Sequence, residues 1–481
     1  MRYRIHVRLV PMLLLATVLS SCAMPVLRQT ERDVSLSGPI GGGERGQAFG
    51  AAALPGHYLE EERFLTGTAT SYTRRGEWTA DGRWEVEPAE SAAYSVRLLI
   101  RRPADESDFN GIVVVEWLNV TGLAEGAADY SQMEEELLRE GYVWIGVGAQ
   151  AVGVHAPSTG LKAWDPVRYA PLSHPGDRFS YDIFTQAARA IRQSQRPGHP
   201  LAGLPVRYVI ATGRSQSAFR LVTYLNAFHR EHGLYDGYFV HSRGANAAGL
   251  AAESLAPDAP VPVPRGAHIR TDLDVPVFDL QAEGDMTALG SHLTRQPPNS
   301  HYRRWELAGV AHTEAPLWVV EPSSTPPTGP GCALPVNSAP HHAFVKSGLR
   351  ALVEWVRDGT VPPQSPEIQL LDLAAADPIA RDEFGNALGG VRIPQLEAPT
   401  ATLDGIPNTV ETETPGVQNF CRLFGRTLPF DDATVRRLHS THEAFVDRFV
   451  AAIDDLERDG YLLPPEAEAG RTAARESRVL R

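Results

Sequence analysis

The sequence is poor in the residue patterns that bind metal ions and phosphate groups. It has three cysteines in 481 residues. It contains no Cys-x-x-Cys or His-Glu-x-x-His motif, which are common zinc-ligand patterns, and no glycine-rich phosphate loop. We therefore expect a protein that works without a metal ion and without a bound cofactor.

Basic segments are also scarce. The chain has 45 Lys and Arg against 58 Asp and Glu, a formal net charge of −13. No stretch is basic and aromatic enough for nucleic acid, and no internal repeat is apparent. Because a nucleic-acid ligand needs a basic face to neutralise its phosphates, the composition argues against nucleic acid as a partner. It is typical of a protein with an acidic, well-solvated surface.

No apolar run is long enough to span a bilayer. The run Leu13–Leu19 follows three arginines and is too short for a permanent membrane helix. A basic start, a short apolar run and small residues before a cleavage point make a secretory signal. The sequence Leu-Ser-Ser-Cys ending at Cys22 resembles a bacterial lipobox. It predicts cleavage before Cys22 and lipid attached to that cysteine.

This N-terminal pattern indicates a location at the bacterial cell envelope. We interpret residues 1–21 as a signal peptide and residues 22–55, rich in small residues, as a tether. Several acyl chains on Cys22 would hold the protein stably on a membrane surface. Ala23 rather than aspartate follows the cysteine, which favours the outer membrane over the inner one. The alternative is an ordinary cleaved signal with an incidental cysteine.

The most informative stretch lies in the middle of the chain. Val206–Ala211 is an apolar run that predicts a buried strand, and Ala218–Phe228 has the pattern of a helix. The turn between them holds Gly213 and Ser215. A strand, a tight turn with a serine at its apex and a helix form the pattern of a nucleophile elbow. The alternative is that Ser215 only caps the helix, as serine commonly does.

A serine nucleophile needs a base, and the base needs an orienting acid. The apolar stretch 275–282 leads to Glu283 and Asp285, and the stretch 302–308 leads through a glycine turn to His312. Each group would lie past the carboxyl end of a strand, where open α/β sheets place their chemistry. We predict Asp285 as the acid, with Glu283 as the alternative, and His312 as the base. The competing interpretation is that all three are surface turn residues.

Strands and helices alternate along most of the chain. This predicts a parallel sheet with helices on both faces. Residues 56–103 instead predict antiparallel strands. We assign residues 56–360 to a core that includes those strands and residues 361–481 to a C-terminal extension packed on it. The main predicted elements are strands Gly111–Trp117, Val143–Val147 and Gly237–His241, and helices Tyr130–Glu140, Tyr181–Ser194, Phe344–Arg357 and Asp432–Asp459.

Similarity to a known family extends over roughly residues 50–470. The stretches that carry it are Phe109–Val120, Gly146–Gln150, His174–Asp177, Tyr181–Phe184, Gly213–Ser217, Ala308–His312 and Arg381–Pro394. They resemble the α/β-hydrolase superfamily and, more narrowly, a bacterial group described as alpha/beta hydrolase domain proteins. Position 217 is serine where the broad superfamily has glycine.

The resemblance implies an α/β-hydrolase fold and esterase-like cleavage of a small-molecule ester through the three candidate residues. The oxyanion of the reaction would be bound by the backbone N–H of Gln216 and by a donor near Leu118 and Asn119. Two alternatives use the same fold. One is acyl transfer to an alcohol, and the other is an inactive envelope protein that only binds.

Two cysteines remain after the leader, Cys332 and Cys421. An oxidising periplasm favours a disulfide between them. Spacing alone does not establish it, because the geometry of the folded chain decides. Two separate buried thiols are the alternative.

Overall fold

The computed structural model describes residues 34–48, 54–251, 263–313, 320, 331–373, 375, 377–410 and 420–481. The predicted signal peptide and Cys22 lie outside the described residues. Among the helices of the described residues, none is both long enough and apolar enough to cross a membrane.

The central sheet is built from strands that are apolar on both sides. Val113 and Val115 belong to one hydrophobic core, and Ile112 and Val114 belong to the other. Because successive side chains of a strand point to opposite faces, such a strand must be covered on both. The uninterrupted apolar runs of the sequence are therefore buried parallel strands.

Ten strands form the main sheet of the described residues. They are β1 (Ser35–Leu36), β2 (Tyr58–Arg75), β3 (Glu85–Pro103), β4 (Ile112–Trp117), β5 (Val143–Val147), β6 (Tyr208–Arg214), β7 (Gly237–His241), β8 (Val277–Ala282), β9 (Tyr302–Ala308) and β10 (Val391–Arg392). Their spatial order is β1-β2-β3-β5-β4-β6-β7-β8-β9-β10. The pairs from β1 to β5 are antiparallel, and those from β5 to β10 are parallel. The predicted mostly parallel sheet with N-terminal antiparallel strands is confirmed.

Helices cover both faces of this sheet. The helices of the described residues are α1 (Tyr130–Arg139), α2 (Ala151–His155), α3 (Leu161–Trp164), α4 (Ser180–Arg192), α5 (Gln216–Ala227), α6 (His229–His232), α7 (Glu283–Leu289), α8 (His341–Asp358), α9 (Pro394–Glu397), α10 (Asp432–Leu438), α11 (His442–Arg458) and α12 (Pro464–Glu476). Helices α4 and α5 pack in one core, and α1 and α8 pack in the other.

The predicted elements of the core agree with the structure to within a few residues, and β5 and β7 have the predicted bounds. The single helix predicted over Asp432–Asp459 is wrong, because the chain breaks between α10 and α11. His439 is extended there, and its Nε2 is 2.9 Å from the carbonyl oxygen of Pro399. Thr441 then begins α11 as its N-cap, accepting the Ala444 N–H.

The chain after residue 360 adds directly to the core. Strand β10 pairs with β9 at the end of the main sheet, and Phe445 and Phe449 of α11 are fully buried in the same core as α8. A small separate sheet, β11 (Ala401–Asp404) with β12 (Arg426–Pro429), lies in this part of the chain. The extension therefore shares a hydrophobic core with the sheet.

The prediction of a tether over residues 22–55 is wrong for residues 34–48. Strand β1 pairs with β2. The carbonyl of Ala48 accepts a hydrogen bond of 2.7 Å from the buried guanidinium of Arg97, and the carboxylate of Asp165 accepts the N–H groups of residues 44 and 45. Small residues and glycines suit this extended path, so composition alone did not distinguish it from a free tether.

The disulfide between Cys332 and Cys421 is present, with the two Cα atoms 5.5 Å apart. Both cysteines are buried and pack with Val336. The bond links the segment before α8 to the segment before β12, and these are far apart in sequence.

Replacing both cysteines by serine is expected to lower the free energy of unfolding by about 2–4 kcal/mol, because cross-links that close long loops restrict the unfolded chain most. Urea unfolding of the oxidised protein and of the double variant measures this difference. Dithiothreitol should destabilise the wild type to a similar extent and leave the double variant unchanged. Equal midpoints for the oxidised and reduced wild type would contradict the expectation.

Candidate active site

Ser215 lies at the turn between β6 and α5 in an unusual backbone conformation. Its φ is 57° and its ψ is −120°, a region that costs a non-glycine residue about 1–3 kcal/mol. The turn is held in place by the sheet, since the Ser215 N–H donates to the carbonyl of His241 at 2.9 Å. The residue as a whole is half-buried.

The serine at position 217 has a structural role in this turn. Its buried Oγ accepts the Arg214 N–H at 3.0 Å and donates to the Arg214 carbonyl at 2.9 Å. A Cβ on Gly213 would come to 3.0 Å from the Ser217 carbonyl oxygen, which explains why glycine stands two residues before Ser215. The hydroxyl of Ser217 therefore satisfies the polar groups of the elbow where the broad superfamily pattern has glycine.

The structure brings Ser215, His312 and Asp285 together. His312 Nε2 lies 3.0 Å from Ser215 Oγ, and His312 Nδ1 lies 2.6 Å from Asp285 Oδ1. The imidazole is 3 % exposed and the carboxylate is fully buried. With Asp285 ionised, Nδ1 carries the proton and Nε2 has a free lone pair toward the serine hydroxyl.

Asp285 is placed by the first turn of α7. Its Oδ2 accepts the N–H of Ala282 at 2.7 Å, which leaves Oδ1 for His312. Burial alone would raise the pKa of Asp285, but its interactions with His312 and the Ala282 N–H hold that pKa below its usual value. The group therefore stays ionised at neutral pH. The carbonyl of His312 in turn accepts a hydrogen bond of 2.5 Å from Arg214 Nη2.

Glu283, the alternative acid, makes other contacts. Its Oε2 accepts the N–H of Gly309 at 2.7 Å, and its Oε1 accepts the N–H of Gly405 at 3.0 Å and an N–H of Arg381 at 2.9 Å. Burial raises the pKa of this carboxyl, and Arg381 opposes that rise. Of the two candidate acids, Asp285 is the one hydrogen-bonded to the His312 ring.

The loop after β4 does not supply the expected oxyanion donor at Leu118 or Asn119. The N–H of Leu118 donates to Val147 O at 3.2 Å, and that of Asn119 donates to Gly126 O at 2.9 Å. Both groups are thus already engaged, and the prediction is corrected on this point. The Asn119 side chain instead donates to the Arg214 carbonyl at 2.9 Å, bracing the loop against the elbow.

Two other N–H groups lie at the elbow or contact it. The N–H of Gln216 is the first of α5 and has no partner within the helix. The next residue of the β4 loop, Val120, directs its N–H at the Gln216 side-chain oxygen over 3.4 Å, the longest hydrogen bond of that loop. Gln216 as an oxyanion donor stays a prediction, and Val120 takes the place of Asn119 as the second candidate.

A buried polar cluster beneath the elbow was missed by sequence reasoning. His241 Nδ1 lies 2.7 Å from Asp129 Oδ1, and His241 Nε2 lies 3.1 Å from His341 Nε2. Burial lowers the pKa of both histidines. The three residues come from separate parts of the chain, and no spacing motif relates them. Within the described residues, no group of three His, Cys, Asp or Glu is arranged to hold a metal ion.

The sequence matches one family over nearly its whole length. The profile of the family described as "Alpha/beta hydrolase domain" matches residues 36–471. The chain belongs to this family. The match includes the elbow, both turns that carry Asp285 and His312, and most of the C-terminal extension. No curated protein matches the chain.

Solved structures show only distant similarity to this chain. A brefeldin A esterase, described as a bacterial homologue of human hormone-sensitive lipase, is 14 % identical over 41 % of this chain and 43 % of its own, with a TM-score of 0.22. The match therefore spans less than half of that esterase. A lipase/esterase from Lactobacillus plantarum is 11 % identical over 40 % of this chain and 75 % of its own, with a TM-score of 0.24. A cold-adapted esterase from an Arctic intertidal metagenomic library is 13 % identical over 53 % and 88 %, with a TM-score of 0.27.

Proposed function

We propose that this alpha/beta hydrolase cleaves carboxylic esters of small molecules through an acyl-serine intermediate. The observation that carries the proposal is the hydrogen-bonded line from Ser215 Oγ through His312 to Asp285, with distances of 3.0 and 2.6 Å. The strained backbone of Ser215 at the end of a strand supports the same reaction, because a serine that only capped α5 would not need this strain, and the Ser215 side chain makes no capping hydrogen bond to the helix.

The reaction proceeds in two halves. His312 Nε2 removes the Ser215 proton as Oγ attacks the ester carbonyl, and the protonated imidazole then gives that proton to the leaving alcohol. A water molecule attacks the acyl-serine in the same way and releases the carboxylic acid. Asp285 holds Nδ1–H and stabilises the imidazolium formed in each half. Its lowered pKa keeps it negatively charged throughout the neutral range.

The negative charge on the carbonyl oxygen needs donors aimed at it before the reaction starts. The N–H of Gln216 fits this role, because it directly follows the nucleophile at the start of a helix. Val120 is the second candidate, since releasing its long contact to the Gln216 side chain would leave its N–H to the substrate. Each such donor typically contributes about 3–4 kcal/mol to transition-state stabilisation.

Ser215→Ala is expected to lower ester turnover by about 10⁴-fold or more and to abolish labelling by a fluorophosphonate, because the attacking oxygen is removed. Labelling followed by peptide mass spectrometry, with an ester panel as substrate, measures both. Ser300→Ala, which removes an exposed serine from a surface turn, is the matched control. Retention of wild-type turnover by Ser215→Ala would refute the proposed nucleophile.

Asp285→Asn is expected to lower kcat by about 10⁴-fold, since an amide at this position favours the wrong imidazole tautomer. Glu283→Gln keeps the Asp285 carboxylate itself and is expected to cost far less. Both variants are compared on one ester at one pH. A larger loss for Glu283→Gln would reverse the assignment, and small losses in both would mean that neither carboxylate orients the base.

We further propose that the enzyme is a lipoprotein of the bacterial envelope, anchored through Cys22 to the outer membrane. This rests on the basic leader, its short apolar run and the Leu-Ser-Ser-Cys sequence. Mass spectrometry of the N-terminal peptide should find Cys22 as the first residue with acyl chains attached. Cys22→Ser should move the protein from the membrane fraction to the soluble fraction. An unmodified N-terminus at another residue would disprove the anchor.

A further inference from the structure

Three segments of the chain meet at the carboxylate of Glu283. We call residues 283–285 the acid turn and residues 309–312 the histidine turn. Glu283 belongs to the acid turn, and its Oε2 accepts the N–H of Gly309 in the histidine turn at 2.7 Å. Its Oε1 accepts the N–H of Gly405 at 3.0 Å and an Arg381 N–H at 2.9 Å, both from the C-terminal extension. One fully buried side chain thus joins both turns to the extension.

The same three segments also touch through their backbones. The Gly284 N–H donates to the Val310 carbonyl at 3.0 Å. A Cβ on Gly284 would lie 2.7 Å from His312 N, and a Cβ on Gly405 would overlap the backbone of Gly284. The extension therefore packs directly against the acid turn, and the acid turn packs directly against the histidine turn. Neither contact leaves room for a side chain at Gly405 or Gly284.

The relative position of these turns sets the geometry of the site. Asp285 follows β8 and His312 follows β9, and their side chains meet at 2.6 Å. These turns follow different strands, so the contacts between them fix that distance. Displacements of about 1 Å at a reacting group can cost about 100-fold in rate.

The Glu283 carboxylate depends on Arg381. A buried carboxylate that loses its cationic partner leaves an uncompensated charge, which is strongly unfavourable. The Arg381 side chain is 15 % exposed and also pairs with Asp377, and its Nη1 donates to the Gly385 carbonyl at 3.0 Å. Asp377 and Gly385, which are close to Arg381 in sequence, thus hold the guanidinium. One of its N–H groups donates to Glu283.

We propose that Arg381 is a positioning residue for the reaction, acting through Glu283 to hold the acid turn and the histidine turn in register. The inference rests on the proposed function of Ser215, Asp285 and His312. It gives the C-terminal extension a part in catalysis through Arg381, which contacts Glu283 and not the serine.

The test uses the full mature chain with Arg381→Met and Arg381→Lys. Arg471→Met is the matched control, because Arg471 is 17 % exposed and also pairs with carboxylates, Asp454 and Glu457 of α11 and Glu468 of its own helix α12. We expect Arg381→Met to lower kcat by between about 10-fold and 100-fold, with KM nearly unchanged. Arg381→Lys should recover part of the loss, and Arg471→Met should match the wild type.

A spectroscopic readout separates positioning from general stability. The His312 Nδ1 proton, in a short hydrogen bond to a buried carboxylate, should give a low-field resonance in the wild type and in Arg471→Met. Arg381→Met should weaken or shift it at temperatures well below unfolding. The double variant Glu283→Gln with Arg381→Met should lower kcat little more than the more harmful single variant does. Both substitutions disrupt the same contact between Glu283 and Arg381.

The outcomes distinguish this inference from the proposed function. If fluorophosphonate fails to label wild-type Ser215, the proposed function is wrong, while the His312 resonance still reports on the turns. If Ser215 is labelled but Arg381→Met keeps the wild-type kcat and resonance, the positioning role is wrong. Equal losses in Arg381→Met and Arg471→Met, or fully additive effects with Glu283→Gln, would also overturn it.

Discussion

The hydrogen bond between His312 and Asp285 imposes the strictest requirement on this structure. It joins two turns that follow different strands, and its 2.6 Å length leaves little tolerance. Parallel neighbouring strands place both turns at one edge of the sheet. Fine alignment then comes from the buried Glu283 carboxylate, from close glycine backbones, and from the side chain of Asn337, which donates to the carbonyl of Gly309.

The elbow needs a second kind of support, because Ser215 is held at a positive φ of 57°. Hydrogen bonds on both sides of it offset the strain. The His241 carbonyl accepts its N–H, and Asn119 and Ser217 both donate to the Arg214 carbonyl. These hydrogen bonds form only when the turn has its observed shape. They therefore favour the strained conformation of Ser215.

Charged groups buried away from the reacting atoms hold the surrounding loops. Arg97, fully buried, pairs with Glu62 and Glu125, and it donates to the carbonyl of Ala48. Glu125 lies in the loop after β4 that borders the elbow, so one guanidinium ties the N-terminal segment to that loop. Such networks cost desolvation energy, and removing one member leaves the others unpaired. We interpret them as devices that specify loop geometry.

The sequence by itself determined the sheet, the elbow and the order of the candidate triad. These are local features: apolar runs mark buried strands, a small-residue turn marks Ser215, and acidic and histidine residues follow strands at Asp285 and His312. The disulfide partners were also within reach, since the sequence has only three cysteines and Cys22 lies in the predicted lipobox. Only the tertiary structure showed that Asp285 rather than Glu283 contacts the His312 ring, that the Asn119 N–H donates to Gly126, and that Arg381 lies beside the acid turn. Those outcomes depend on contacts that only the folded chain brings about: 27 residues separate Asp285 from His312, and 98 separate Glu283 from Arg381. A hydrogen-bond partner or a buried counter-ion at that distance leaves no periodic trace in the sequence.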